Sequence, residues 1–193
     1  MTLDRSRRRL VQLSIAALST LAAGAAVGAG GVPVARATGS VRDFDFFLGR
    51  WNVRHRRLGR RLVRDDTWET FDGTTTCQSL LDGAVNLNES IAHRASGTTR
   101  GMGLRAFDAA TGTWRDWYFS AADPTSLGVP SVGRFAHGVG TFLSDETYEG
   151  RPVKVRGIFT PIAPGEAQWE QAFSPDGGAS WETNWVMRYS RVG

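Results

Sequence analysis

From Arg50 to the C-terminus the chain consists of short runs in which apolar and polar residues alternate, interrupted by Gly, Asp, Asn and Pro. A period of two belongs to a strand with one buried face, and no stretch holds a 3.6-residue period long enough for a sizeable helix. The runs predict strands over 50–58, 68–79, 85–93, 102–107, 113–119, 134–143, 153–160, 168–174 and 181–189. Two hairpins stand out. One turns through Asp108-Ala-Ala-Thr-Gly112, the other through Pro175-Asp176-Gly177-Gly178, both rich in the residues tight turns require. In the second, Ser174-x-Asp176-x-Gly178-x-x-Trp181 matches the Asp-box pattern, in which an Asp side chain caps a turn and a Trp anchors it. A single copy excludes a propeller, whose blades recur along the chain. A meander of about nine or ten short strands without crossover helices closes most economically into an antiparallel β-barrel, because closure removes the exposed edges.

Upstream the pattern changes. Residues 44–48 are mostly apolar and fit one helical turn. Before them stand a basic stretch from Arg5 to Arg9, an uncharged run from Leu10 to Val34, and Ala35-Arg36-Ala37. That is the three-part plan of a secretory signal with an A-x-A cleavage site. Ser6-Arg7-Arg8-Arg9-Leu10-Val11 resembles the twin-arginine consensus, which implies the twin-arginine export machinery as a partner. Residues 1–37 are therefore expected to be a cleaved signal peptide, and 38–193 the working domain, secreted or in the cell envelope, with no stable membrane span after cleavage.

This reading changes what the charge means. Over the whole chain Lys plus Arg number 23 and Asp plus Glu 19; removing residues 1–37 leaves 18 of each. The mature domain is near neutral, so nucleic acid is not an expected partner. Cys77 is the single cysteine, which excludes an intrachain disulfide and leaves stability to the core.

Leu48-Gly49-Arg50-Trp51 carries the G-x-W signature that lipocalins and related calycin barrels place at the entrance to their first strand. The chain also resembles a group of bacterial lipocalin-like proteins that begin with an F-D-F-x-x-G-x-W-type segment and end with a W-x-x-N-W-V-M-R-Y-type strand. Residues 43–51 and 181–189 carry that resemblance. It implies an all-β, antiparallel lipocalin-like (calycin) barrel. It also implies that Trp51 closes the barrel floor under an arginine from the C-terminal end, Arg188 in first place and Arg191 in second. The second lipocalin signature and the usual cysteine pair are absent. Haem-carrying relatives have glycines soon after the Trp, whereas Asn52-Val53-Arg54-His55 follow here, so no cofactor is predicted.

In a small barrel alternate residues point inward. Taking the more apolar face of each strand places Trp51, Val53, His55 and Arg57 inside on the first strand, and Val85, Leu87, Glu89, Ile91 and His93 on the third. Phe135, His137, Val139 and Thr141 follow on a later strand, with Arg115, Trp117 and Phe119, then Trp169, Gln171 and Phe173, then Trp181, Trp185 and Met187. This describes an aromatic-lined cavity with a few polar groups, the usual construction of a small-molecule site. The expected ligand-binding residues are Trp51, His55, Arg57, Glu89, Trp117, His137 and Gln171. Nothing has the spacing of a metal-ligand motif, so no metal site is predicted. Between Arg50 and Arg64 lie seven arginines, with Arg54 and Arg56 expected outside, facing Asp65, Asp66 and Glu69, and Arg57 near the mouth. An inward Arg57 or His55 would select a ligand with a carboxylate or similar anion. The leading reading is a carrier of a small, mainly apolar or amphipathic ligand. The alternative is a cofactor-free isomerase or cyclase on the same barrel, with Glu89, His55 or His137 as acid or base. A third is an interaction module with a filled core.

Overall fold

A computed structural model describes residues 39–193; the expected signal segment and its cleavage site lie outside the described residues. Ten strands follow the chain order around a closed antiparallel barrel: β1 (Gly49–Leu58), β2 (Trp68–Leu80), β3 (Val85–Arg94), β4 (Gly97–Asp108), β5 (Thr113–Ser120), β6 (Ser131–Ala136), β7 (Val139–Tyr148), β8 (Arg151–Ala163), β9 (Glu166–Ser174) and β10 (Glu182–Arg191). Closure comes from β1 pairing with β10, in a register running from Trp51 opposite Arg191 to Arg57 opposite Trp185. The barrel predicted from alternation is thus the fold.

One predicted strand is two. Residues 134–143 form the end of β6, a turn, and the start of β7, because His137 and Gly138 both take positive φ, 51° and 80°. Two consecutive left-handed residues make the tight turn whose twist matches flanking strands, and Gly138 supplies one without steric cost. His137 therefore sits exposed at a turn, not on an inward face.

The end of the barrel where β1 begins is plugged. Phe44 and Phe47, at 2% and 1% exposure, come from the 3-10 turn at Asp45–Phe47 and its preceding residue. They pack with Trp51, Trp114, Phe135, Phe142, Phe159 and Tyr189 in one continuous core. Phe44 meets Trp114, Phe135 and Phe159 edge-on, with ring centroids 5.0, 5.0 and 5.2 Å away. Such edge-to-face contacts add to the burial of large apolar area.

Trp51 is the centre of this floor. Its Nε1 donates to the Phe47 carbonyl at 2.8 Å, and the Arg191 guanidinium lies 4.2 Å from its ring centroid. Arg191 also donates to the Phe46 and Leu48 carbonyls, tying the entering segment down. Gly49, at φ 105°, leaves the space: a Cβ there would stand 2.7 Å from an Arg191 nitrogen. Of the two arginines considered for this position, the second holds it. Arg188 pairs with Arg54 on the outward parity, whereas Arg191 is in direct register with Trp51.

Cys77 is buried at 3% exposure and shares a hydrogen-bonding contact with Asn86; burial raises its thiol pKa. At the open end the Asp-box behaves as a turn clamp. Ser174 Oγ accepts from the Gly178 amide at 2.8 Å, and Trp181 Nε1 donates to the Gly178 carbonyl at 3.1 Å. Trp181 is thereby held in the turn, outside the lumen, where the Arg156 guanidinium stacks on it at 4.4 Å.

Candidate functional site

Above the floor the barrel encloses a cavity of about 300 Å³, near the lower bound for small-molecule sites. Its wall has two unlike halves. Strands β9, β10 and β1 contribute Trp169, Gln171, Trp185, Met187, Tyr189, Val53, His55 and Arg57, the faces expected from the sequence. Strands β3, β4 and β5 contribute Asn88, Ser90, Arg94, Gly101, Gly103, Arg105, Asp116 and Tyr118, almost entirely polar or bare. The cavity shares Asp116, Tyr118, Glu146, Trp169 and Gln171 with a second hollow that reaches Gly128 and Val129. There β5 and β6 pair only from Trp114 to Asp116, so the wall is open beyond.

The predicted site residues separate accordingly. His55, Arg57 and Gln171 face the cavity together. Trp51 lies in the floor core and does not line it. Trp117 borders the cavity but stands opposite Leu104, on the parity opposite to Asp116 and Tyr118. Glu89 lies outside: its side chain is 67% exposed and reaches Arg100 at 3.5 Å across the outer face. His93, four residues on, is exposed too, and His137 occupies the turn described above. Glu89 and His137 therefore have no access to a ligand in the lumen, and of the three acid/base candidates only His55 keeps its place.

The reason for these reversals is visible on β3. The more apolar face, Val85, Leu87 and Ile91, is the outer one, and the inner one is Asn86, Asn88, Ser90, Ala92 and Arg94. The assumption that the apolar face is buried holds for a wall packed against a core; it inverts where the wall faces a polar cavity. Two signals marked the inversion. Gly101, Gly103 and Arg105 recur at spacing two on β4, as expected where bare backbone borders a hollow beside an inward arginine. The Asp108–Thr113 hairpin also brings Arg105 opposite Asp116, a cross-strand pair of opposite charge.

Four cationic or basic groups shape the lumen. His55 is 4% exposed, stacked on Phe71 at 4.5 Å, and its Nδ1 accepts from Trp185 Nε1 at 3.2 Å. That bond places the remaining ring proton on Nε2. Burial, reinforced by Arg94 and Arg57 and only partly opposed by Asp72, lowers its pKa to about 4. His55 is thus a neutral positioning residue that orients Trp185. Arg57 lies over that indole, its guanidinium 4.6 Å from the ring centroid. Arg94 is neutralised by a two-point bond to Glu69, through Nε at 3.2 Å and through Nη2. Arg105 faces Asp116 at 3.3 Å and donates to Asn86 Oδ1 at 2.7 Å.

Arg57 is different. Among the described residues no carboxylate pairs with it, and its Nε is buried without a hydrogen-bond partner. Burial, with Arg61 and Arg94 nearby, lowers its pKa to about 10, so it stays charged at neutral pH at a cost in solvation. The arginine-rich stretch around it is otherwise spent on the surface, with Arg54 on Asp72 at 2.7 Å and Arg56 over Trp68 at 4.8 Å. Glu69, expected to face these β1 arginines, serves Arg94 instead. Among the described residues no three His, Cys, Asp or Glu side chains gather as a metal-binding group.

The lowered His55 pKa has a measurable consequence. Between its folded value near 4 and the ordinary 6.5, the unfolded chain binds a proton that the folded chain does not. The stability His55 contributes is therefore complete above pH 6.5 and falls away as pH drops towards 4. His55→Gln, which keeps an acceptor for Trp185, is expected to flatten that part of the profile, read as the difference in urea midpoint between pH 7 and pH 4.5. An unchanged slope would mean that His55 titrates normally.

Comparison with protein-family models and with curated proteins gives no match. Among solved structures the chain is similar to one described as "Structure of EF1p2_mFAP2b bound to DFHBI", at a TM-score of 0.43 and 12% sequence identity, covering 79% of this chain and 98% of that one.

Proposed function

We propose that this protein is an exported carrier that holds a small, mainly apolar molecule bearing a carboxylate or similar anion inside its barrel. The observation that carries the reading is Arg57, a partly buried guanidinium with no carboxylate partner among the described residues, set against Trp185 on the wall of an aromatic cavity. An unpaired buried charge is costly, and such sites persist where a counter-charge completes them. Arginine suits the task because its planar fork grips a carboxylate at two points while its face stacks on an aromatic ring. Trp169, Met187 and Phe159 supply the apolar wall for the rest of the ligand. The twin-arginine-like segment supports export, a route that accepts an already folded and loaded domain.

The test is native mass spectrometry of protein recovered from the extracytoplasmic fraction of cells making the whole chain. The expected result is a polypeptide beginning at Thr38 with a non-covalent mass increment, released on denaturation as an organic acid. Arg7→Lys with Arg8→Lys should leave the precursor in the cytoplasm. An empty barrel that binds no small carboxylate in titration would overturn the carrier reading; a precursor exported despite both substitutions would overturn the route.

A further inference from the structure

The outer surface of the barrel is not uniform. On β1 and β2 the outward positions hold Arg50, Asn52, Arg54 and Arg56, then Asp72 and Thr74, the polar face expected of an antiparallel wall in water. On β3, β4 and β5 the outward positions are mostly apolar, and register sets them in a three-by-three grid. Val85, Ala106 and Arg115 form the row nearest the floor. Leu87, Leu104 and Trp117 form the middle row, and Glu89, Met102 and Phe119 the row nearest the open end. Only two opposite corners, Arg115 and Glu89, are charged, and both are exposed. Leu80, which pairs with Val85, and Leu81 extend the apolar face towards the floor, at 42% and 74% exposure. A contiguous apolar face of this kind, rimmed by charge, marks an interaction surface. Glu89 meets Arg100 of its own chain at 3.5 Å, whereas no carboxylate pairs with Arg115 among the described residues.

We propose that this face pairs with the same face of a second copy of the chain, in a reversible two-fold dimer centred on Leu104. The grid is complementary to itself in one arrangement. A two-fold axis lying in the interface along the diagonal from Val85 through Leu104 to Phe119 sets Arg115 of each copy against Glu89 of the other. The same axis sets Leu87 against Ala106 and Trp117 against Met102, while Val85, Leu104 and Phe119 meet their own counterparts. Every facing pair is then apolar or of opposite charge. An axis along the strands would set Arg115 against Val85, and one across them would set it against Phe119. The other diagonal would bring Arg115 onto its own copy, which like charges oppose. A barrel wall is convex, so the Leu104 row touches first and the longer side chains at the charged corners reach across the widening gap. Three strands about 4.8 Å apart and five residues of about 3.4 Å give the grid a footprint of roughly 250 Å². That is about a third of the 800 Å² or so that each partner contributes to a standard interface, so the dimer is a weak one with a Kd of about 10–100 μM.

Sedimentation velocity on protein purified from cells making the whole chain, over a concentration series from about 1 to 500 μM, tests the pairing. The expected result is a concentration-dependent shift from monomer to dimer. Leu104→Glu should weaken the dimer at least about thirtyfold, and Ile162→Glu, exposed on β8 away from the grid, should leave it within about twofold. Arg115→Glu and Glu89→Arg should each weaken it about tenfold by setting like charges face to face, and the two together should restore it to within about threefold of the wild type. Both of these positions are exposed, so the exchange remains readable if Leu104→Glu fails to fold. A protein that stays monomeric throughout the series overturns the proposal, as does a monomer that floats with phosphatidylglycerol vesicles, which would assign the face to a membrane. A dimer indifferent to Leu104→Glu, or one that the double charge exchange does not restore, overturns it as well.

Discussion

Arg57→Met should weaken binding of a carboxylate ligand by about 2 kcal/mol or more, roughly thirtyfold in Kd, while leaving the folded protein as stable as before or more so. The two halves of this result have one cause. Arg57 is partly buried, its Nε lacks a partner, and no carboxylate pairs with it among the described residues, so its charge costs solvation that the empty barrel does not recover. Methionine keeps an unbranched apolar stem and a sulfur that packs well against the Trp185 ring now under the guanidinium. Removing a residue that serves only the fold would lower stability; removing one kept for a ligand lowers affinity alone. Arg57→Lys should fall between, since a lysine keeps the charge but loses the planar fork and the stack. The controls are Arg54→Met and Arg56→Met, on the outer face of the same strand, which should leave affinity within about twofold because exposed charges contribute little. Calorimetric titration with a small aromatic carboxylate and a thermal melt of each variant give the comparison. An Arg57→Met protein that binds as well as the wild type would place the anion site elsewhere.

The barrel itself was legible because alternation and turn chemistry report on single strands, and an unbroken series of antiparallel strands leaves few ways to hide its edges. The β9, β10 and β1 side of the site was legible too, since Trp169, Gln171, Trp185, Met187, Val53, His55 and Arg57 are inward on strands whose inner face is also the more apolar one. The opposite wall was not. Leu87, Leu104 and Trp117 form an outward row across β3, β4 and β5, and the inward row beside it is Asn88, Gly103 and Tyr118. A one-residue change in parity moves a whole strand from one side to the other, so Glu89 was expected inside and Asp116 was overlooked for a single reason. Register would have corrected this. Once the Asp108–Thr113 turn is set, Arg105 must face Asp116, and an Arg–Asp pair flanked by glycines at spacing two fits a lumen better than a surface. His137 failed differently: Gly138 was read as part of a strand when it was the second residue of a two-residue turn.

At the floor the choice between two arginines was undetermined by sequence position, because both Arg188 and Arg191 lie near the end of β10. Register decides it, and stability measurements should show the same preference. Trp51→Ala is expected to cost about 3–5 kcal/mol, the range for deleting a large aromatic from a packed core. The residue is 1% exposed, contacts the Phe47 and Tyr189 rings at 5.8 and 6.2 Å, and bonds the Phe47 carbonyl, so its loss leaves both a void and an unmet acceptor. In a domain of this size that corresponds to a fall in Tm of roughly 10 °C. Arg191→Met should cost about 1–2 kcal/mol, since it removes the stack on Trp51 and two bonds to the Phe46 and Leu48 carbonyls. Arg188→Met, on the outer face, should stay within about 0.5 kcal/mol of wild type. Urea titrations of the three variants supply the numbers, and a double variant of Trp51 and Arg191 should lose less than the sum, because the two side chains support one another. Ligand affinity is the complementary measurement. Trp51 lies in the floor, not in the cavity wall, so a Trp51→Phe protein that remains folded should bind its ligand as the wild type does, whereas a direct ligand contact would lower affinity with the fold intact.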